Sequence, residues 1–477
     1  MKDTFFKIFC IILTFNNIFC YYSVKVNKIY LPVVTNNSNS NSTTHNNILT
    51  FNQNNKSLDE YTELPLNNSE LNAINESFIS TNNINFEAYT TSLYIGSNLQ
   101  DFKLILSTKD DYTTISSVDC STCKVLNKYN SLLSTTSKNK TLSYLGQNGL
   151  YSFVEDSCLI PTQRPIKEIL HSNIITLPDL KLKIIESDKT GFLNSDLSDG
   201  ILGLNYANGT ESLNSNFIRE LYNKGYISSP SFSLVITSSN INRLFLGDIM
   251  KNDYIRNFIN ENMNKGQCNI VDNENNWKCN FDRLEFNALK YKDWQKHKID
   301  KKMTLAFDIK DNKLTIPESY YTLIVVGYVQ KITGSGRKES TRIVHNKKCL
   351  KTIDDRIFCT CKNKDDFGVL SFYFESNGAY GGLDIDIRDY VYIYNFTDYN
   401  CRVDISLSKK DEFIVGLKGL NNTIISFNME EKTIKFFHKI KNTSYLFTIL
   451  EWKKTIWALV IIIIGVGIDY CIKGSRR

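Results

Sequence analysis

Beyond residue 86 the chain alternates short apolar runs with polar breaks. The runs are built from Val, Ile, Phe, Tyr and Thr, and the breaks from Asn, Gly, Ser and Asp. This pattern predicts strands joined by turns rather than helices. The best helical signal is 215–224, with a Ser or Asn start and Gly225 as its stop. Upstream, about 34–83 is rich in Asn and Ser, with little apolar content and no period. Too little apolar surface is available there to offset the entropy of ordering, so 21–85 reads as disordered. The ends carry different patterns. Residues 4–20 form an apolar run after Lys2, with small Cys20 as a cleavage point, and 1–20 reads as a secretory signal peptide. Ile456 to Ile468 is unbroken apolar or glycine, and 455–472 supplies the 18 residues a bilayer span needs. The basic tail 473–477 fits the cytosolic side. A glycolipid-anchor signal is the alternative, but such tails end apolar and this one ends in charge. Asp469, near the end of the span, reads as an interfacial carboxylate.

Charge changes this picture little. The 477 residues hold 56 basic and 50 acidic side chains, a formal net charge of +6. The lysines are spread out, with no basic stripe interleaved with aromatics, which excludes a nucleic-acid partner. Cysteine usage fits an oxidising compartment. Setting aside Cys10, Cys20 and Cys471, nine remain: Cys120, Cys123, Cys158, Cys268, Cys279, Cys349, Cys359, Cys361 and Cys401. An odd number leaves at least one unpaired or pairing between chains. Cys268 and Cys279 are spaced to close a hairpin. Zinc is the other use for Cys120-x-x-Cys123 and Cys359-x-Cys361, but none of the five histidines lies near either pair. No metal or cofactor is expected. Glycosylation acceptors occur at Asn36, Asn41, Asn55, Asn67, Asn75, Asn139, Asn208, Asn395, Asn421 and Asn442, all on the expected lumenal side.

Two segments are alike. One reads Gln100-Asp101-Phe102-Lys103-Leu104-Ile105-Leu106-Ser107-Thr108-Lys109-Asp110. The other reads Met303-Thr304-Leu305-Ala306-Phe307-Asp308-Ile309-Lys310-Asp311, followed by Leu314-Thr315-Ile316-Pro317. Each is an apolar strand running into a short polar turn. Around them, in order, stand Tyr94-Ile95-Gly96, Ile115-Ser116-Ser117, Asp199-Gly200-Ile201-Leu202-Gly203-Leu204, Pro230-x-Phe232-Ser233-Leu234 and Leu244-Phe245-Leu246-Gly247-Asp248. The later half adds Leu370-Ser371-Phe372-Tyr373-Phe374, Phe413-Ile414-Val415-Gly416-Leu417 and Ile425-Ser426-Phe427-Asn428.

In joint order and spacing these motifs resemble the pepsin-like aspartic peptidases over roughly 86–438. The resemblance implies a mostly-β, bilobal fold with a cleft between the lobes, followed here by the C-terminal transmembrane helix. It implies an N-terminal lobe at 86–265, a C-terminal lobe at 266–440 and a juxtamembrane linker at 441–454. The segment 21–85 takes the place of a removable pro-segment, but it is poor in the basic residues that would pair with active-site carboxylates, so no inhibitory role is expected. A C-lobe bridge from Cys401 to Cys349, Cys359 or Cys361 is implied, and the cysteines at 120 and 123 match a pair the family carries.

The family places Asp-Thr/Ser-Gly in each loop, and the two aspartates share a water. The second aspartate is retained as Asp308. The first position, seven residues after Gln100, is Ser107. Both following glycines are lysine, Lys109 and Lys310. The threonine that crosses between loops is present as Thr108 and replaced by Ile309. Such a dyad needs two carboxylates about 3 Å apart sharing one proton. A serine there holds a water but does not act as a base, and losing one member of the unit removes most of the rate. The two ammonium groups would pair with Asp308, Asp110, Asp111 or Asp311. Tyr144 matches the flap tyrosine, with an ordinary hairpin aromatic as the alternative, and Asp156 follows at the family distance. Asp308 as a surface carboxylate in a turn is the bland alternative for that position. The expectation is a membrane-anchored, single-pass homologue of the secretory pathway or cell surface. It would be catalytically inactive and bind a peptide or protein in its cleft. The alternative is an atypical endopeptidase using Asp308 with help from Asp110 or Asp111.

Overall fold

The structure is a computed structural model. It describes residues 22–31, 49–50, 62–63 and 86–437, except 167–168, 192, 194–197, 207–215, 237–241, 252–263, 272–275, 288–302, 334–338, 346–348, 352–355, 377–378, 394–398 and 421–422. The expected signal peptide, the membrane span and every glycosylation acceptor except Asn139 lie outside the described residues. Among the described residues, no helix is long and apolar enough to cross a membrane.

The chain is mostly β, as the apolar pattern predicts. Its first strand, β1 (Tyr22–Leu31), departs from the expectation that 21–85 is structureless. Two short strands, Leu49–Thr50 and Thr62–Glu63, do so as well. The apolar–polar alternation from Tyr22 to Val26 carries the strand signal, and the Asn-rich stretch that follows hides it in any average over the segment.

The N-terminal half is organised around β2 (Phe86–Ile95), β3 (Gln100–Ser107), β4 (Thr113–Ser116), a flap hairpin of β5 (Tyr144–Gly146) and β6 (Gly149–Ile166), β7 (Ile169–Asp188) and β8 (Gly200–Gly203). β2 runs antiparallel to β3. β8 inserts between the consecutive strands β3 and β4, parallel to the first and antiparallel to the second. β4 then runs parallel to β7.

A short helix, α1 (Phe217–Asn223), leads into the second half. Its cap is Asn216, whose side chain accepts from the N–H groups of Ile218 and Arg219 at 3.0 and 3.3 Å. The interlobe strands β9 (Ser231–Val235), β10 (Asn242–Leu246) and β11 (Asn264–Asn269) follow. Next come β12 (Lys278–Phe281), β13 (Met303–Asp308), β14 (Leu314–Pro317), β15 (Ile405–Ser408) and β16 (Glu412–Gly416). These repeat the first half's plan. β12 is antiparallel to β13. β16 inserts between the consecutive strands β13 and β14, parallel to one and antiparallel to the other, and β14 runs parallel to β15.

The two halves share a sheet. β17 (Ile424–Asn428) and β18 (Thr433–Phe437) complete the run β11-β18-β17-β9-β10-β1, and β1 continues it into β2. The core crosses the junction at Trp277, which is fully buried and packs against Tyr206, Phe232 and Phe427. Its indole N–H donates to the Leu204 carbonyl at 2.7 Å.

Eight of the nine cysteines between residues 120 and 401 are paired, as Cys120–Cys123, Cys268–Cys279, Cys349–Cys359 and Cys361–Cys401. Cys361 is thus the partner of Cys401 among the three open possibilities. Cys158 is free and fully buried. Burial, and then the field of Asp156, push its thiol up, so it stays protonated and inert.

Candidate functional site

Both site loops begin where a central strand meets an inserted one. In the first half Ser107 is the register partner of Gly203. In the second half Asp308 is the register partner of Gly416. Each glycine lies under the loop that follows the central strand. A Cβ at Gly203 would meet the Asp110 carbonyl at 2.6 Å, and one at Gly416 would meet the Asp311 carbonyl at 2.5 Å. Only glycine permits so close a backbone crossing. The backbone bonds repeat too: Asn205 N–H donates to the Asp110 carbonyl at 3.2 Å, and Leu417 N–H to the Asp311 carbonyl at 2.7 Å. Ser107 and Asp308 therefore occupy equivalent places, and both are buried.

The loops meet through Thr108. Its hydroxyl donates to the Phe307 carbonyl at 2.7 Å and accepts from the Ile309 N–H at 3.2 Å. These two residues flank Asp308, so one side chain joins the two candidate positions across the lobes. Ile309, buried and without a hydroxyl, returns no such bond.

At the first position a hydroxyl stands where the family carries a carboxylate, and the nearest carboxylate is three residues on. Ser107 Oγ donates to Asp110 Oδ2 at 2.6 Å. It also faces the N–H groups of Lys109 and Asp110, at 3.2 and 3.3 Å. The serine hydroxyl is thus held within its own loop. At the second position Lys109 Nζ reaches across to Asp308 Oδ2 at 2.5 Å, and the Lys310 N–H donates to Asp308 Oδ1 at 3.2 Å. Of the four carboxylates expected to take the lysines, Asp308 takes Lys109. Lys310 lies in the fields of Asp110, Asp308 and Asp311; burial lowers its pKa most, Lys109 adds to that, and the three carboxylates oppose it.

Sequence reasoning missed a second tier. Asn205 Nδ2 donates to Asp111 Oδ1 at 2.8 Å, and burial raises the Asp111 pKa. Lys183, on β7, lies near Asp110 and Asp111, with its ammonium pushed down by burial. A lone lysine on an alternating strand carries no signal that separates it from a solvated face. Asn205 has a positional signal, two residues past Gly203.

The flap places Tyr144 where the hairpin pattern requires. Tyr144 pairs with Tyr151 in the β5–β6 register, and their rings stack at 5.7 Å. Asp156 is a structural anchor below it, fully buried, accepting from Tyr129 Oη at 2.6 Å, Ser134 Oγ at 2.9 Å and Thr136 Oγ1 at 2.5 Å.

Two equivalent loops, each crossing a glycine and meeting at the lobe junction, are the frame that the sequence motifs imply. The chain matches the family described as eukaryotic aspartyl protease over residues 88–439. It belongs to that family. No curated protein matches the chain at a significant level. Within the eukaryotic aspartyl protease frame, the geometry leaves Asp308 without a carboxylate at the paired position and with an ammonium on one of its oxygens.

Two measurements check this site. Thr108→Val leaves the buried Phe307 carbonyl and Ile309 N–H without this partner, and the expected loss is about 2–4 kcal/mol in urea unfolding. Lys310 gives a pH signature. Its folded pKa lies below 10.5, so between the two values the unfolded chain holds more protons on this side chain. Stability from this residue therefore rises with pH in that window and falls as pH drops through the folded value. The urea midpoint of the unaltered protein should gain on that of Lys310→Met between neutral pH and about pH 10.

Proposed function

We propose that this chain is a non-catalytic member of the eukaryotic aspartyl protease family that holds an extended polypeptide in its cleft. The observation that carries the reading is the Lys109 ammonium on Asp308, opposite a serine locked to Asp110. Peptide hydrolysis by this family type needs one carboxylate to act as base on a water while its protonated partner polarises the carbonyl. Here Ser107 supplies no base, and the ion pair occupies Asp308.

A second reading has one observation in its favour. Asp110 keeps a carboxylate 2.6 Å from the hydroxyl at the first position, so an atypical endopeptidase could use Asp308 with Asp110. The site also names its own repair. Ser107→Asp alone would set a second carboxylate against Asp110 and leave both lysines. Exchange of the pair, Ser107→Asp with Asp110→Ser, joined to Lys109→Gly, Ile309→Thr and Lys310→Gly, restores both carboxylates, both close approaches and the missing hydroxyl.

For topology we propose a type I, single-pass membrane protein that enters the secretory pathway by 1–20, carries glycans on its ectodomain and is anchored by 455–472. This rests on the sequence pattern of the two ends.

Purified ectodomain should show no cleavage of denatured protein from pH 3 to pH 7, and no retention on an immobilised statine-type inhibitor. The fivefold variant should gain retention, and Ser107→Asp alone should not. Turnover that vanishes in Asp308→Asn would establish the endopeptidase reading instead. For the anchor, the full chain should stay in the membrane after alkaline extraction and after treatment with a glycolipid-specific phospholipase. Release of intact ectodomain by that enzyme would overturn the transmembrane assignment.

A further inference from the structure

One face of the β6–β7 hairpin runs from the candidate site out along the flap. Tyr151, Phe153 and Glu155 share that face, because Ser152, Val154 and Asp156 between them are buried. Phe153 is the register partner of Lys183, and Glu155 of Lys181. Lys183 lies in the fields of Asp110 and Asp111. Tyr112, next to Asp111, packs on Phe153 with ring centroids 4.9 Å apart. The face thus begins at the cleft floor.

Asn139 stands at its outer end. The residue is exposed, and its Nδ2 donates to Glu155 Oε2 at 2.6 Å. Its backbone φ of 55° is left-handed, a conformation that Asn tolerates better than most side chains. Asn139-Lys140-Thr141 is an acceptor triplet. Beside it the hairpin exposes apolar side chains: Leu142 is 86% exposed and Tyr144, on the face of its register partner Tyr151, 47%, while Leu145 lies with its partner Leu150 on the opposite face. Side chains of this kind on a water-facing hairpin are a liability unless something covers them.

Resting on the secretory topology proposed above, we propose that Asn139 carries an N-linked glycan that lies along this face, covers Leu142 and Tyr144 and narrows the entrance to the cleft. The co-reactant is a lipid-diphosphate-linked oligosaccharide. A bond forms between Nδ2 and the anomeric carbon, the bond from that carbon to the diphosphate oxygen breaks, and Nδ2 gives up one proton as the lipid diphosphate leaves. A primary amide has two N–H groups. One is replaced by the sugar, and the other keeps the bond to Glu155, which aims the first sugar along the face that bears Phe153 and Tyr151. The apolar C–H faces of the sugars find there the aromatic and aliphatic surface these side chains leave open. The covered entrance admits a single extended chain and turns away a folded protein surface. The left-handed turn explains an asparagine at 139, and the Phe153 N–H, which donates to Thr141 Oγ1 at 2.9 Å, explains a hydroxyl at 141; neither accounts for the bare apolar side chains beside them.

The test uses the full chain expressed in secretory cells. Site-resolved mass spectrometry should find a hexosamine-bearing peptide at Asn139. Asn139→Gly, which keeps the left-handed turn, should lose one glycan step in gel mobility, as should Thr141→Ala. Thr141→Ser, which keeps a hydroxyl for the Phe153 N–H, should lose none. Enzymatic removal of the glycan from the folded protein should raise binding of an apolar dye severalfold, without reliance on any variant's folding. An unmodified Asn139 would overturn the proposal, whether or not other acceptors carry sugar. A glycan at Asn139 whose removal leaves dye binding unchanged would overturn the shielding role. None of these readouts depends on catalysis or on a cleft ligand.

Discussion

The rest of this structure depends on one steric constraint, repeated twice: a polar loop must cross an inserted strand at a point where no side chain fits. Gly203 and Gly416 meet it, each with a loop carbonyl oxygen only 2.6 or 2.5 Å from where a Cβ would sit. Because the crossing fixes the loop backbone, it fixes positions 107 and 308 whatever side chains they carry. The scaffold therefore keeps its geometry with a serine at the first position. Ser107 ends its strand in the same register as Asp308, and Thr108 still reaches the opposite lobe.

What changed is the charge arithmetic inside that frame. A buried carboxylate is costly unless paired, and Asp308 is buried while Lys109 reaches it with a side chain 53% exposed. Lys109 and Lys310 entered where glycines let the loops close. They are matched by Asp308 directly and by Asp110 and Asp311 through their fields. The carboxylate at Asp110 takes the Ser107 hydroxyl. The charged groups are thus paired with one another within the two loops, the arrangement on which the proposed non-catalytic reading rests, since a proton relay needs one acid and one base left poised.

Much of this was legible in the sequence. The apolar runs announced the mostly-β chain, and the spacing from Gln100 that the resemblance supplies led to Ser107, which strand register sets opposite Gly203. The helix predicted at 215–224 forms at 217–223, shortened because Asn216 spends its side chain on the cap. The roles of Lys183 and Asn205 were not legible, because their partners are brought by strand pairing far along the chain. The Cys401 partner was open among three, since strand register sets Cys359 opposite Cys401 but Cys359 is taken by Cys349, which leaves Cys361 just past the strand end to form the bridge. β1 was missed because ten residues of pattern were averaged with a long Asn-rich stretch.

That strand has a consequence of its own. Tyr22–Val26 pair with β10 of the interlobe sheet, and Asn27–Leu31 pair with β2 of the first lobe. β1 is therefore a stitch rather than a leader. A nick between 31 and 86 would not liberate an N-terminal peptide. It would convert one chain into two that remain a single noncovalent particle, held by backbone pairing along both edges of the stitch. In this molecule, a cut in the sequence and a separation in space are different events.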